Sequence, residues 1–332
     1  MTDAPHNTAI WCDPGFAALA GDAVELLGQG VTPVAIGGPA SQEIDALARR
    51  FDLEANDDPR QLLLHAAADS VFLLTREPPL DRELLASVCE HKTMLTLEPL
   101  AADVREAAAI GLGGENADRR TVSADRVLSV PLFAEAPGFR RATDAGEALG
   151  EVRGLAIESI GRDGYGSLFA RLYDAWVTLL GLVDVPETID AAIAGQIDPR
   201  DDLRKVAGTL SAHARTFGGA TLTLMASDRA GRDGRRLVAV GQAAQLTVND
   251  AGYDLVTLGG SPIDGHADTT RPTTVADLVA DQWRRAIERG PSTPTAVPPP
   301  RRVAALACCE ACLLSSRTGQ AESPRKVMEM QR

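Results

Sequence analysis

A chain of 332 residues with 45% hydrophobic content can bury two ordinary cores, so two domains are expected. Its formal net charge of −13 argues against nucleic acid or an anionic membrane as partner, because phosphates would be repelled. No run approaches the roughly 18 apolar residues that a membrane span needs. The opening MTDAPHNTAIWCDPG has no basic segment followed by an apolar one, so no signal peptide is expected and a cytoplasmic location is.

In chain order, TAIWC (8–12) reads as a strand, followed by a helical face of Phe16, Leu19, Ala20, Ala23 and Leu27 at three- and four-residue spacing. VTPVAI (31–36) is the next strand. Ser41 can cap a helix whose face is Ile44, Leu47, Ala48 and Phe51. Asp58-Pro59 reads as N-cap and first helical residue ahead of QLLLHAA. SVFLLT (70–75), a helix near 80–90, TMLTLEP (93–99), a helix near 101–112 and a strand near 126–132 complete the series. Strand alternating with helix at this spacing predicts a doubly wound parallel sheet over residues 1–122.

The second part has a different grammar. EVRGLAIESIGR alternates like a strand, and FARLYDAWVTLLGL is a helix with Leu172, Trp176, Leu179 and Leu180 on one face. Asp201 or Asp202 would cap a further helix with Leu203, Val206, Leu210, Ala214 and Phe217 inward. ATLTLMASD, RRLVAVG, AQLTVND and YDLVTLGG, separated by AGRDG and NDAG, read as an antiparallel meander. Residues 123–290 thus form an α+β domain with an open, mostly antiparallel sheet. PSTPTAVPPP (291–300) is a proline-rich linker, and 301–332 hold a helix near 302–316 and a tail. Five cysteines, three of them in Cys308-Cys309-Glu310-Ala311-Cys312, make no disulfide framework. No nearby Cys or His pair completes a zinc set, so these cysteines read as packing residues of that helix and no metal is expected.

This order of elements resembles the glucose–fructose oxidoreductase/inositol dehydrogenase (Gfo/Idh/MocA) family over nearly the whole chain. The resemblance rests on PVAI, ALARRF, DDPRQLL, ADSVFLLT and KTMLTLEPLAADVREA, then DAWVTLLG, the strands from Ala220 to Gly259, and CEACLLSSRTGQ. It implies a Rossmann domain for NAD(P) and an open-faced sheet domain that lines the substrate cleft and often forms the oligomer.

The family's working residues are present only in altered form. At the glycine loop after the first strand stands Cys12-Asp13-Pro14-Gly15-Phe16-Ala17-Ala18. One offset matches Gly15 and Ala18 but places Asp13 at the first glycine, and the other places Cys12, Pro14 and Ala17 at the three positions. A carboxylate beside a pyrophosphate repels it, and proline removes an N–H donor. At the second strand's end, Gly37 and Gly38 replace the acidic ribose clamp, and Thr75 ends the strand at 70–75. In the family the end of the next strand, at 93–99 here, carries Glu-Lys-Pro; Leu97-Glu98-Pro99 replaces the lysine by a carboxylate, and Lys92 matches a different, structural lysine. Glu98 reads either as a base with a pKa raised by burial or as a loop carboxylate near a helix N-terminus. The family's Asp-x-x-x-His-x-x-Asp falls on Ser167, Arg171 and Asp174. Arg171 cannot act as a base near neutral pH; it reads as an anion binder, a partner of Glu98 or a surface ion pair. His213, on the polar side of its expected helix, and His266, in an expected loop, occupy no family position.

Three functions stay open on these residues: a non-catalytic family member that binds a ligand or a partner, an active NAD(P)-dependent sugar or cyclitol oxidoreductase with rearranged groups, and an enzyme of another class using Glu98, Arg171 and Asp174. No tightly bound cofactor is expected in the first, and NAD(P) in the second. The expected partners are a small polar or sugar-like ligand in the interdomain cleft and further subunits, in a homo- or hetero-oligomer. The oligomer would form through the sheet, with apolar faces around Leu222, Leu224, Leu237 and Val240.

Overall fold

The computed structural model describes residues 5–112, 126–195, 202–267, 273–289 and 297–330. The chain divides into two compact units. The first comprises the described residues of Met1–Leu100, Glu106–Pro131 and Thr274–Pro300; the second those of Ala101–Arg105, Leu132–Thr273 and Arg301–Arg332.

The first unit begins with β1 (His6–Cys12), α1 (Ala17–Leu27), β2 (Val31–Gly37), α2 (Gln42–Arg50), β3 (Ala55–Asn56) and α3 (Pro59–Leu63). β4 (Ser70–Leu74), α4 (Arg82–His91), β5 (Thr93–Thr96), α5 (Val104–Ala109) and β6 (Val127–Ser129) follow, with α5 running across the boundary between the units. The six strands pair in parallel in the order β3-β2-β1-β4-β5-β6. β4 is buried along its whole length, as a central strand covered on both faces must be. Local chemistry sets the helix starts. Ser41 Oγ accepts from the Ile44 amide at 3.2 Å, Asp58 accepts from Arg60 and Gln61 ahead of Pro59, and Asp81 accepts from Leu84 at 2.7 Å.

The second unit holds α6 (Pro137–Ala142), β7 (Val152–Arg162), α7 (Leu168–Leu179), β8 (Thr188–Ala194), β9 (Thr209–Arg215), β10 (Thr221–Ser227), β11 (Arg229–Gly241), β12 (Ala244–Asn249), β13 (Tyr253–Thr257) and β14 (Pro262–His266). Its eight strands run β14-β13-β12-β11-β7-β10-β9-β8. The fifteen-residue α8 (Val275–Arg289) follows in the chain but belongs to the first unit. There it packs on α1, donates from Arg284 to the Leu26 carbonyl at 3.2 Å, and sets Trp283 against Phe72 with ring centroids 4.6 Å apart. The sequence division had placed this stretch with residues 123–290. α9 (Pro299–Thr318) and α10 (Pro324–Met330) close the chain. Most of the proline-rich linker lies outside the described residues, and Pro299 already begins α9.

The expected fold classes hold: a Rossmann-like parallel sheet and a separate, mostly antiparallel sheet with helices. Four expectations inside the second unit do not. Residues 203–217 are not a helix; Thr209–Arg215 is strand β9, hydrogen-bonded to β8 and β10, so His213 lies on a strand. Leu203, Val206, Leu210, Ala214 and Phe217 mimic helical spacing, but Leu210, Ala212 and Ala214 also alternate, and strand pairing wins. The strands are not a simple meander, because β7 lies between β10 and β11 and pairs with β10 in parallel. AGRDG is no turn but the first part of β11, where the register against β7 shifts between Arg229 and Gly234. His266 ends the exposed edge strand β14, hydrogen-bonded to Arg141, and is not in a loop.

Side-chain alternation divides the sheet's two faces. Leu155, Ile157, Leu222, Leu224, Leu237 and Leu246 are buried, with α7 packed on β7 and β10, while Thr221, Thr223, Met225 and Val240 are exposed. Leu222, Leu224 and Leu237 are therefore core residues, and of the four residues expected on the open face only Val240 lies there. Cys308, Cys309 and Cys312 are fully buried on α9, and burial pushes the Cys312 thiol up to about 12. Among the described residues no helix is long and apolar enough to cross a membrane, and no cluster of three His, Cys, Asp or Glu could hold a metal.

Candidate functional site

The β1–α1 junction is where a Rossmann sheet approaches a phosphate. Here it is closed by its own carboxylate. After Cys12 the chain makes a single 3-10 turn, Pro14–Phe16, before α1 begins. Asp13 donates its amide to the Leu74 carbonyl at 2.8 Å. Its carboxylate accepts from the Thr75 hydroxyl at 2.9 Å and from the Arg76 amide at 3.0 Å. Asp13 and Thr75, two of the expected cofactor positions, are thus brought together, the Thr75 hydroxyl lying between the Asp13 carboxylate and the Glu77 carbonyl at 3.2 Å. Gly15 and Ala18 are exposed, and a Cβ built on Gly15 would meet nothing within 4 Å. No close backbone approach within the chain requires a glycine there.

Gly37 and Gly38, at the clamp position, are glycines for packing. A Cβ on Gly37 would overlap the Asn56 carbonyl of β3, and one on Gly38 would overlap the Cys12 carbonyl at the end of β1. The Gly38 amide donates to the Asn56 carbonyl at 3.1 Å. The strand ends are drawn so close that no side chain, acidic or otherwise, fits between them.

Beyond β5, Glu98 is only 4% exposed, so the lysine-replacing carboxylate is a buried group rather than a solvated loop residue. Lys92 does the work of a helix cap: its ammonium donates to the carbonyls of Leu63 at 3.1 Å and His65 at 2.6 Å, at the end of α3. Burial lowers its pKa, against a smaller opposing pull from Asp69.

In the second unit, α7 starts at Ser167, whose hydroxyl caps the helix by accepting from the Ala170 amide at 3.0 Å. Arg171 is buried, not a surface ion pair. It pairs with Asp233 of β11 at 3.1 Å and donates to the carbonyls of Ile160, Arg162 and Tyr165. Gly161 makes room for it, since a Cβ there would overlap the guanidinium. One turn on, Asp174 accepts from the Phe133 amide at 2.7 Å and from Arg235 at 2.9 Å. Arg235 also donates from Nε to Asp250 at 2.8 Å and lies over the Phe133 ring, 5.2 Å from its centroid. Burial raises the pKa of the Asp174 carboxyl, while Arg235 and the Phe133 amide pull it back.

Arg171 and Asp174 therefore stand on one helix with separate partners, Asp233 and Arg235, two residues apart on β11. Sequence reading missed Asp233, Arg235 and Asp250. A signal existed in RDGRR: Asp233 and Arg235 stand two residues apart in a stretch that pairs as a strand, so both signs fall on one face. Asp228 was missed as well. Fully buried, it accepts from the amides of Gly208 at 2.8 Å and Leu168 at 3.3 Å and ties α7's first turn to β9's approach.

No family model matches the chain, and no curated protein matches it. Solved structures do. GenD2 from gentamicin A biosynthesis, in complex with NAD, matches with a TM-score of 0.72 at 16% identity, over 97% of each chain. An oxidoreductase from Agrobacterium radiobacter, in complex with NAD+, L-tartaric acid and magnesium, matches at 0.71 and 14% identity, over 97% of this chain and 99% of its own. Levoglucosan dehydrogenase, in complex with NADH and levoglucosan, matches at 0.71 and 14% identity, over 96% and 99%. At such identities the likeness establishes the fold: this chain has the two-sheet architecture of these NAD-binding oxidoreductases.

Proposed function

We propose that this chain is a ligand-binding or partner protein built on the fold of NAD-dependent sugar and cyclitol oxidoreductases, without their redox chemistry. The observation that supports it most is the engagement of Arg171 and Asp174, which stand at the family's catalytic positions. Both are less than 10% exposed, and both are held by Asp233, Arg235 and main-chain groups of their own chain. A group that shuttles a proton must reach substrate, and a guanidinium cannot act as a base near neutral pH. The cofactor positions fit a dinucleotide equally poorly. The Asp13 carboxylate takes the Thr75 and Arg76 donors, and Gly37 and Gly38 leave no room for an acidic clamp. Each charged hydrogen bond lost costs about 1.5–3 kcal/mol, and each 1.4 kcal/mol is a factor of about ten in affinity. Two or three such losses move a micromolar site towards millimolar. The ligand in this reading is small and polar or sugar-like, and the assembly is a homo-oligomer, or a hetero-oligomer with an active relative, through the open face of the eight-stranded sheet.

The second reading is an active NAD(P)-dependent sugar or cyclitol oxidoreductase with rearranged groups. The burial of Glu98 favours it, since a desolvated carboxyl at the end of β5 is a candidate base. Calorimetric titration with NAD+, NADH, NADP+ and NADPH separates the two. The first reading expects no saturable binding below the millimolar range and no turnover of polyols; a dissociation constant in the low micromolar range for any form establishes the second.

A further inference from the structure

Two arginines meet at one end of the eight-stranded sheet. Arg162 ends β7, and directly across the antiparallel ladder from it stands Arg229, the first residue of β11. Opposed residues share a face, with Cβ atoms about 4.5–5.5 Å apart, and like charges placed so destabilise a sheet. A guanidinium cannot relieve the strain by losing its proton. The strand also widens here. Its register on β7 shifts between Arg229 and Gly234, and the bulge between them adds a third exposed arginine, Arg232.

The chain's own carboxylates answer this charge only in part. Asp233 is shared: one oxygen takes Arg171 Nη2 at 3.1 Å, and the other takes Nε and Nη2 of Arg162 at 3.3 and 3.2 Å. Asp228 faces Arg229, but its two oxygens already accept main-chain amides, Gly208 at 2.8 Å and Leu168 at 3.3 Å. Arg229 Nε lies 3.6 Å from it, beyond hydrogen-bond length. Among the described residues the Arg229 side chain donates no hydrogen bond, and neither does Arg162 Nη1. With Asp163 and Arg232 included, arginines outnumber carboxylates here four to three, in a chain of net charge −13. Both opposed arginines are reachable, with side chains 55% and 63% exposed. Arg162 is also held in place, its guanidinium stacked 4.6 Å from the centre of the Tyr165 ring. Room lies beside them, since a Cβ on Gly231 or Gly234 would meet nothing within 4 Å. Conflicts of this kind, left standing in a folded chain, mark functional sites.

We propose that Arg162 and Arg229 form a binding site for an oxyanion, the carboxylate or phosphate group of a small polar ligand. One ligand oxygen accepts from Arg162 Nη1 and another from the Arg229 guanidinium, in the charge-assisted pairing that arginine favours. An anion between the two guanidinium groups cancels their repulsion. The inference rests on the functional reading above and gives its small polar ligand an acid group.

The test titrates inorganic phosphate and gluconate into the full chain at constant ionic strength, with glucose as the neutral control, while following the arginine Nε–H resonances. Saturable shifts at Arg162 and Arg229 are expected with the anions and none with glucose. Tighter phosphate assigns a phosphate ester, and tighter gluconate a sugar acid. Arg229→Gln should weaken binding about tenfold. Its melting temperature without anion should stay level or rise, because the opposed charge is gone. Arg229→Lys, which keeps the charge, should retain most of the binding. No saturable shift, equal binding of glucose, wild-type affinity in Arg229→Gln, or a lower anion-free melting temperature in that variant would overturn the proposal and leave Arg229 a solvated partner of Asp228. Nicotinamide titration, which decides the functional reading, does not enter this result, so the two fail separately.

Discussion

The Asp174 carboxylate and the Arg235 guanidinium lie 2.9 Å apart, with side chains only 9% and 7% exposed. This pair joins α7 to β11, and Asp250 holds the other side of the arginine at 2.8 Å. Removing one member of a buried pair strands the other charge, at a cost of about 3–5 kcal/mol. Asp250 remains as a partner, so Asp174→Ala is expected near the lower end, about 3 kcal/mol by urea denaturation. A loss under about 1 kcal/mol would mean the pair is solvated and its structural role misread.

Arg171→Lys is expected to destabilise although the charge is kept. The guanidinium serves Asp233 and three carbonyls at once from a planar fork, and an ammonium with three rotatable donors cannot match that set. About 1–3 kcal/mol should be lost in the same denaturation measurement. Unchanged stability would return Arg171 to the list of groups kept for a ligand.

The glycines at the cofactor positions predict opposite outcomes. Gly15→Ala meets no neighbour and should be stabilising by about 0.4–1 kcal/mol through the unfolded chain. Gly38→Ala drives a methyl into the Cys12 carbonyl and should cost about 1–3 kcal/mol or more. Asp13→Ala takes the carboxylate from the Arg76 amide and leaves the Thr75 hydroxyl only the Glu77 carbonyl at 3.2 Å, costing about 1–3 kcal/mol, and does not create NAD affinity, because the clamp position is still glycine. Melting curves and calorimetry of the three variants check this.

All five cysteines are buried, and burial pushes the thiols of Cys12, Cys89 and Cys312 up to about 12, with Cys308 and Cys309 also raised. Native protein should resist alkylation between about pH 7 and 9, with labelling that tracks unfolding in urea. The unfolded thiols titrate near the ordinary value of 9.0. Their stabilising contribution is therefore complete below about pH 9 and is lost as pH rises towards 12. The melting temperature should fall across that window, and a flat profile would contradict it.

The open face of the eight-stranded sheet carries Met225 and Val240, both 37% exposed, among threonines. If it is the oligomer surface, Met225→Lys with Val240→Lys should leave a folded monomer by light scattering, because two buried ammonium groups per face oppose association. A wild-type monomer at micromolar concentration, with no partner recovered, would remove the surface from consideration.

Features that the sequence alone settles here are those whose physics is local. Ser41, Asp58-Pro59 and Asp81 announce helix starts because the cap bond reaches only two or three residues. The apolar run of β4 declares a doubly covered strand. α8 was not among the expected helices, although Leu278, Val279, Trp283 and Ile287 recur at helical spacing, and nothing local says that it returns to pack on α1 and the first sheet. Stretch 203–217 satisfied both periods, and only hydrogen bonding to β8 and β10 chose the strand. The candidate site divides in the same way. That Asp13 and Arg171 depart from an oxidoreductase pattern, while Asp174 keeps it, is visible in the residues themselves. What each charge does was decided by partners 61 to 63 residues away, Arg235, Asp233, Thr75 and Arg76. Those partners arrive through the register of β11 on β7 and of β1 on β4, which the whole sheet sets at once.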